Sequence, residues 1–210
     1  VLENISFSVN AGEFLCIIGQ NGGGKSTLCK AILGLVPISG GHIKTRENLK
    51  IGYAPQECPL EKFPASAEEI VRMGVRTRRP FLSGSEKARV VENMRLLGIL
   101  DLRKKNFETL SGGQKRRVFI ARALTASDGV LLLDEPASGL DPLALSELYT
   151  LLRTLCSRDG ITVIMVSHDM SAALSSADKV LYLDKTLRFF GTPADFLLSK
   201  DGKQFLGGEK

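Results

Sequence analysis

The sequence lacks the features of membrane-spanning and secreted proteins. No apolar run reaches the roughly 18 to 20 residues that a bilayer-spanning helix needs, and no basic segment followed by an apolar one stands at the N-terminus. Tryptophan is absent, and histidine occurs only as His42 and His168. Two histidines offer no convincing transition-metal site. These absences predict a cytoplasmic chain that neither crosses a membrane nor is secreted.

The sequence also contains few cysteines and carries a small net charge. The cysteines are Cys16, Cys29, Cys58 and Cys156, and no C-x-x-C pair occurs among them, which predicts reduced, buried thiols. The net charge of +5 is too small to choose among phosphate ligands, nucleic acid and an anionic membrane. No aromatic residues interleave with the basic clusters at 76–79 and 103–105, as a nucleic-acid platform would require. We therefore expect no nucleic-acid partner.

What the sequence does contain is a phosphate-binding motif. Residues 19–27 read GQNGGGKST and fit the P-loop pattern G-x-x-x-x-G-K-[ST] between an apolar run and a helical repeat. Glycine amides and the start of a helix together attract an anion. The predicted nucleotide-binding residues are Gly19, Asn21, Gly22, Gly23, Gly24, Lys25, Ser26 and Thr27. A glycine-rich surface turn is the alternative interpretation.

Strands and helices alternate along most of the chain, which predicts an α/β fold with a mostly parallel sheet and helices on both faces. Two segments near the N-terminus alternate apolar and polar residues, and we predict that they form an antiparallel β region beside the P-loop core. Their apolar residues are Ile5, Phe7 and Val9 in the first segment and Leu49, Ile51 and Tyr53 in the second.

A helical segment interrupts this alternation. From about residue 61 to 110 the composition favours helices, with candidate capping boxes at 66–69 and 83–86. We therefore predict one domain over residues 1–210. Its P-loop NTPase core would comprise 1–60 and 111–210, and a helical subdomain of about 61–110 would be inserted into it.

Two further strands end in polar residues that suit catalysis. Asp134 and Glu135 follow the apolar strand at 130–133, and His168 follows the apolar segment at 161–166. Ligands of parallel sheets gather at the carboxyl ends of the strands, so we expect these residues near the P-loop. A strand-end cap for Asp134 and a structural role for His168 are the alternatives.

The segment LSGGQ at 110–114 makes a family resemblance specific. It belongs to a series of motifs: GQNGGGKST at 19–27, Gln56, LSGGQ at 110–114, VLLLDEP at 130–136, SGLD at 138–141, and His168. In this order, and over nearly the whole chain, they resemble the nucleotide-binding subunit of an ATP-binding-cassette (ABC) transporter. The resemblance implies ATP and Mg²⁺ as cofactors and ATP hydrolysis as the reaction.

The resemblance also implies roles within the chain. The implied catalytic residues are Glu135, His168, Gln56 and Lys25, and the implied Mg²⁺ ligands are Ser26, Gln56 and Asp134. Glu135 would orient and deprotonate the attacking water. His168 would hydrogen-bond the γ-phosphate or that water. Gln56 would also act as a hinge between the core and the helical subdomain.

A second set of residues would bind nucleotide held by another subunit. Ser111, Gly112, Gly113 and Gln114 offer an anion site at a helix start, and Asp141 would lie at the same subunit boundary. The resemblance implies a head-to-tail homodimer, or a pair with a related subunit, that closes on two ATP molecules. A simple helix cap at Ser111 is the alternative.

Transport partners and cargo follow from the resemblance alone. It implies integral membrane permease subunits, a substrate-binding protein, and a cytoplasmic location on the inner face of the membrane. The segments 63–74, 167–173 and 190–193 resemble the ATPases of bacterial zinc, manganese and iron importers, which implies import of a metal cation. Three alternatives stay open: another small solute, an ABC ATPase acting on nucleic acid or ribosomes, and a cassette without catalysis. One departure is Arg116, where the family often has glutamine.

Overall fold

A computed structural model of the chain describes residues 2–56, 64–77, 79 and 81–207. The strands are β1 (Phe14–Ile18), β2 (Ile51–Ala54), β3 (Val130–Asp134), β4 (Thr162–Val166), β5 (Lys179–Asp184) and β6 (Thr186–Gly191). The helices are α1 (Lys25–Ile32), α2 (Ala67–Arg72), α3 (Gly84–Leu96), α4 (Gly112–Ala126), α5 (Pro142–Ser157), α6 (Met170–Ser176), α7 (Pro193–Leu198) and α8 (Lys200–Gly207). Two 3₁₀ turns lie at Leu100–Leu102 and Phe107–Thr109. The chain groups into two compact units, Val1–Thr45 with Leu152–Lys210, and Arg46–Leu151.

The first unit is built around β1. This strand pairs in parallel with β4 on one side and with β5 on the other. All five of its residues are buried, as expected for a central parallel strand that is covered on both faces. Its carboxyl end leads into the P-loop, which fits the predicted strand, loop and helix.

The antiparallel strands of the fold lie near the C-terminal end of the chain. β5 and β6 form an antiparallel pair with a tight connection at Lys185. The predicted N-terminal location of the antiparallel region is wrong. β2 pairs in parallel with β3, and residues 5–9 form no strand.

The alternation at residues 5–9 has another physical cause. Ile5, Phe7 and Val9 are half-buried, and the residues between them are exposed. The ring of Phe7 packs on that of Phe190 in β6, with 6.0 Å between the centroids. One side of this segment is therefore covered by other residues, although the segment itself is not paired in a sheet. Alternation reports such one-sided burial, and it does not by itself show that a partner strand is present.

The second unit combines β2 and β3 with helices. A Cβ on Gly52 of β2 would lie 2.1 Å from the carbonyl oxygen of Ala123 in α4, so only glycine permits this close approach. Capping boxes at Ser66 and Ser83 begin α2 and α3 as predicted. The division of the chain into an α/β core and a helical subdomain at about 61–110 stays a prediction.

The described cysteines agree with the expected reduced state. Cys16, Cys29 and Cys156 are buried free thiols, and Cys58 lies outside the described residues. Burial, assisted by the carboxylate of Asp178, raises the pKa of Cys156 to about 12. Among the described helices, none is both long and apolar enough to cross a lipid bilayer.

Candidate functional site

The P-loop ends at a helix start without a side-chain cap. Gly24, with φ of 95°, occupies the N-cap position of α1, and the first turn of that helix has no acidic residue. Its leading amides are therefore suited to an anion. The buried Lys25 donates from Nζ to the carbonyl oxygens of Gly19 at 2.7 Å and Gln20 at 3.0 Å. These contacts keep the ammonium inside the loop.

The loop also packs tightly against the end of β5. A Cβ on Gly19 would lie 2.1 Å from the carbonyl oxygen of Leu183, and a Cβ on Gly23 would lie 3.0 Å from the same atom. The amide of Lys185 donates to the carbonyl oxygen of Gly23 at 2.9 Å. Packing of the loop thus requires glycine at Gly19 and favours it at Gly23.

A cleft of about 570 Å³ lies beside the P-loop in the first unit. It brings Asn21 and the exposed His168 together, because the segment after β4 and the P-loop line the same cleft. Its other polar lining residues are Gln20, Ser167, Tyr182, Asp184, Arg188, Asp201 and Gln204. The ion pair between Arg188 and Asp201, at 3.1 Å, joins β6 to α8. No motif of the sequence pointed to this pair.

Catalytic candidates meet at the carboxyl edge of β2 and β3 in the second unit. Gln56 follows β2 and Glu135 follows β3, and Nε2 of Gln56 donates to Oε2 of Glu135 at 2.6 Å. Glu135 has a φ of 48°, a left-handed conformation that is rare for a residue with a Cβ and is typical of functional sites. Asp134, the last residue of β3, is buried.

The donor set fits Mg²⁺ better than a transition metal. Asp134 offers a carboxylate, Gln56 an amide oxygen and Ser26 a hydroxyl, and oxygen ligands of this kind suit Mg²⁺. No group of three or more histidine, cysteine or acidic side chains placed to hold a metal ion occurs in the described part of the chain. The chemistry of the predicted ligands thus agrees with the predicted ion.

The LSGGQ segment forms the start of α4. Ser111 accepts from the amide of Gln114 at 3.3 Å, and the side chain of Gln114 accepts from the amide of Ser111 at 3.1 Å. This capping box was expected only as an alternative to a binding role. Ser111, Gly112, Gly113 and Gln114 line a cleft of about 400 Å³ together with Asp141, whose carboxylate caps α5. The second unit thus brings this predicted set together.

Comparison with known proteins identifies the family. The sequence profile of the ABC transporter family matches residues 2–138. The chain belongs to the ABC transporter family. The zinc import ATP-binding protein ZnuC 1 of Hahella chejuensis is 36% identical over 194 residues, which cover 92% of this chain and 72% of that protein. ZnuC of Vibrio cholerae is 38% identical over 194 residues, covering 92% of this chain and 71% of that protein.

Solved structures agree with this assignment. The cassette cbiO1 of Clostridium perfringens, part of the ABC transporter complex cbiONQ, is 31% identical with a TM-score of 0.84, covering 99% of this chain and 88% of that chain. The bacterial ABC transporter cassette MJ0796, solved as a dimer, is 29% identical with a TM-score of 0.73, covering 91% of this chain and 90% of that chain. The α/β fold and the prediction of an ATP-binding ATPase are confirmed. The individual residue roles stay predictions.

Proposed function

We propose that this chain hydrolyses ATP to drive import of a metal cation, such as zinc or manganese, through a membrane permease. The hydrogen bond of 2.6 Å between Gln56 and Glu135 supports the catalytic part most directly. It fixes a carboxylate beside an amide side chain at a sheet edge, where ligands of parallel sheets bind. The names of the ZnuC relatives support the metal cargo.

In the proposed reaction, the P-loop binds the phosphates of ATP. The amides of Gly22, Gly23 and Gly24 surround an anion, and the start of α1 adds positive potential. Lys25 exchanges its contacts with the carbonyl oxygens of Gly19 and Gln20 for phosphate oxygens. An ammonium already directed into the loop needs little reorganisation for this exchange.

Glu135 acts as the general base in this proposal. Its carboxylate accepts a proton from water as the water oxygen bonds to the γ-phosphorus, and the bond from that phosphorus to the departing ADP oxygen breaks. Gln56 orients the carboxylate. His168, exposed beside Asn21 in the first unit, donates a hydrogen bond to the γ-phosphate. Asp134, Ser26 and Gln56 would hold Mg²⁺. The bound ion would neutralise part of the phosphate charge.

A second copy of the chain completes the site. We assign Ser111, Gly112, Gly113, Gln114 and Asp141 to ATP held by that copy, so two chains close head-to-tail on two nucleotides. The dimeric MJ0796 cassette supports the association of two copies. Gly112 is exposed, and apart from its chain neighbours and the backbone of its own helix no atom lies within 4 Å of its Cβ position, which leaves room for that nucleotide. Hydrolysis removes the γ-phosphate contacts, and the pair reopens.

The proposed partners are permease subunits and a substrate-binding protein, with the chain on the cytoplasmic face of the membrane. Membership of the ABC transporter family and the cbiONQ complex of cbiO1 support the permease. Import of another small solute is the second candidate. An ABC ATPase acting on nucleic acid or ribosomes is disfavoured, because no aromatic residues interleave with the basic clusters at 76–79 and 103–105.

Replacing the proposed base tests the reaction. Glu135→Gln should lower kcat for ATP by at least about 100-fold, the usual range for loss of a general base, and should stabilise an ATP-bound dimer. Phosphate release and size-exclusion chromatography with ATP measure the two effects. Glu92→Gln is the control, since Glu92 pairs with Arg95 on the surface of α3. Wild-type turnover by Glu135→Gln would contradict the assignment.

A growth experiment tests the cargo. Cells without the gene should grow poorly under zinc or manganese limitation and take up less of the limiting metal. The wild-type gene should restore uptake, and Glu135→Gln should not. Normal uptake of both metals in the deletion strain would contradict the metal assignment without affecting the assignment of ATPase activity.

A further inference from the structure

We propose that Arg116 is a positioning residue for the catalytic carboxylate. It holds the backbone at Pro55 and Gln56, so that the Gln56 side chain reaches Glu135. This inference rests on the proposed function, because it assigns a purpose to the contact between Gln56 and Glu135. The family resemblance does not predict it, since glutamine is frequent at the position of Arg116.

The guanidinium of Arg116 spans two successive carbonyl groups. Nη1 donates to the carbonyl oxygen of Pro55 at 3.3 Å and to that of Gln56 at 3.4 Å, and Nη2 donates to the latter at 3.3 Å. These hydrogen bonds are long, but the donor is charged and it binds two adjacent acceptors at once. The peptide groups on both sides of the Gln56 Cα are therefore tied to α4.

The tie matters because of where Gln56 lies. β2 ends at Ala54, so Gln56 is beyond the last ladder hydrogen bonds of the strand. Its side chain is exposed, and the backbone of a loop is more mobile than that of the elements it connects. A fixed backbone limits the positions from which Nε2 can reach Oε2 of Glu135 at 2.6 Å. The carboxylate then keeps one orientation.

The chemistry of arginine suits this task. Its planar guanidinium has five N–H donors on two outward edges, whereas a glutamine amide has two donors and a lysine ammonium is a compact charge. Arginine therefore serves both carbonyl groups with two separate nitrogens held in one plane, whereas lysine and glutamine have a single donor nitrogen. This gives a physical reason for Arg116, because the glutamine proposed as catalytic lies beyond the end of a short strand and needs another anchor.

Steady-state kinetics separate positioning from simple stability. Arg116→Met keeps most of the apolar stem and removes the donors. It should lower kcat for ATP about fivefold to tenfold while KM changes less than about twofold, because a positioning effect acts in the transition state more than in binding. Arg116→Lys keeps the charge and should give an intermediate kcat. If Arg116→Met folds poorly, the comparison rests on Arg116→Lys.

The matched control is Lys115→Met. Lys115 is the neighbouring residue on α4 with the same charge, and its ammonium lies 5.7 Å from the centre of the Phe107 ring. It should lose no more than a small amount of stability and keep the wild-type kcat. A similar fall in kcat for Lys115→Met would show that the loss of positive charge is responsible, which would overturn the proposal.

A double variant supplies the decisive test. If Arg116 acts through Gln56, then Gln56→Ala combined with Arg116→Met should have the same kcat as Gln56→Ala alone. Multiplicative effects of the two changes would overturn the proposal. Wild-type kcat in Arg116→Met beside an inactive Glu135→Gln would overturn only the role of Arg116. Absence of ATP hydrolysis by the wild-type chain would instead overturn the proposed function.

Discussion

The two glycine-rich segments assigned to nucleotide binding differ in what surrounds their glycines. In the P-loop, Gly19 and Gly23 lie against the carbonyl oxygen of Leu183, at 2.1 Å and 3.0 Å from their Cβ positions. In the LSGGQ segment, apart from chain neighbours and the backbone of the same helix, no atom lies within 4 Å of the Cβ position of Gly112, and the nearest atom to that of Gly113 is the Cβ of Ala144 at 3.6 Å. At Gly19 and Gly23 the first segment packs against its own unit, whereas the second segment is open.

Backbone conformation separates the two segments as well. Gly22 and Gly24 of the P-loop have φ values of 78° and 95°, whereas neither Gly112 nor Gly113 has a positive φ. Packing and conformation thus require glycine in the P-loop. Nothing within the second unit requires it at Gly112, where alanine would be the better helix former. The proposed second copy would supply a reason for glycine at Gly112 from outside the chain.

The largest expected effect comes from closing the tight approach in the P-loop. Gly19→Ala should lower the free energy of unfolding by about 3 kcal/mol, because the atom that its Cβ meets belongs to the backbone and cannot rotate away. Binding of ATP should also be lost. Urea denaturation and titration with a fluorescent ATP analogue measure both. Gly40→Ala, which would meet no atom within 4 Å, is the control. Unchanged stability in Gly19→Ala would show that packing does not require glycine in the P-loop, which would contradict the contrast with the LSGGQ segment.

The sequence predicts most of the site because short motifs specify local chemistry. GKST follows an apolar strand, and VLLLDEP ends another, so the P-loop and the carboxylates could be placed on their elements. Adjacent parallel strands then explain why Gln56 and Glu135 meet. Such predictions depend on a pattern within one element, and the structure has these motifs on the predicted elements for that reason.

Contacts between distant segments without a motif could not be predicted. The guanidinium of Arg116 and the carbonyl groups of Pro55 and Gln56 are distant in the sequence, and no periodicity relates them. The pair of Arg188 and Asp201 is missed for the same reason. The N-terminal strand was predicted wrongly because one-sided burial occurs both in a sheet and in a segment that only packs on a ring.

An effect of intermediate size is expected at Gly112, in the open LSGGQ segment. Gly112→Ala should leave stability unchanged or raise it by up to about 1 kcal/mol, and it should leave binding of ATP to the P-loop unchanged. ATP hydrolysis should fall at least about tenfold, because the added methyl group would clash with a phosphate of the ATP that the second copy holds.

The chain offers a close control for this variant. Gly84 begins α3 directly after the capping residue Ser83, as Gly112 begins α4 after Ser111, and nothing lies within 4 Å of its Cβ position. Gly84→Ala should leave hydrolysis unchanged. Phosphate release at several protein concentrations measures both variants. Equal activity in Gly84→Ala and Gly112→Ala would show that the ATP of a second copy does not approach Gly112.

The smallest effect separates capping from binding at Ser111. Ser83 and Ser111 form similar capping boxes, accepting from the amides of Glu86 at 3.2 Å and Gln114 at 3.3 Å. Replacing either serine by alanine should cost about 1 kcal/mol of folding stability, the usual effect of losing an N-cap. Only Ser111→Ala should also lower ATP hydrolysis, by about threefold to tenfold, because only its hydroxyl would additionally contact phosphate. Thermal denaturation and phosphate release measure the two quantities. Because the stability losses match, a selective loss of hydrolysis in Ser111→Ala would assign the hydroxyl to the nucleotide of the second copy, and equal activities would reduce Ser111 to a helix cap.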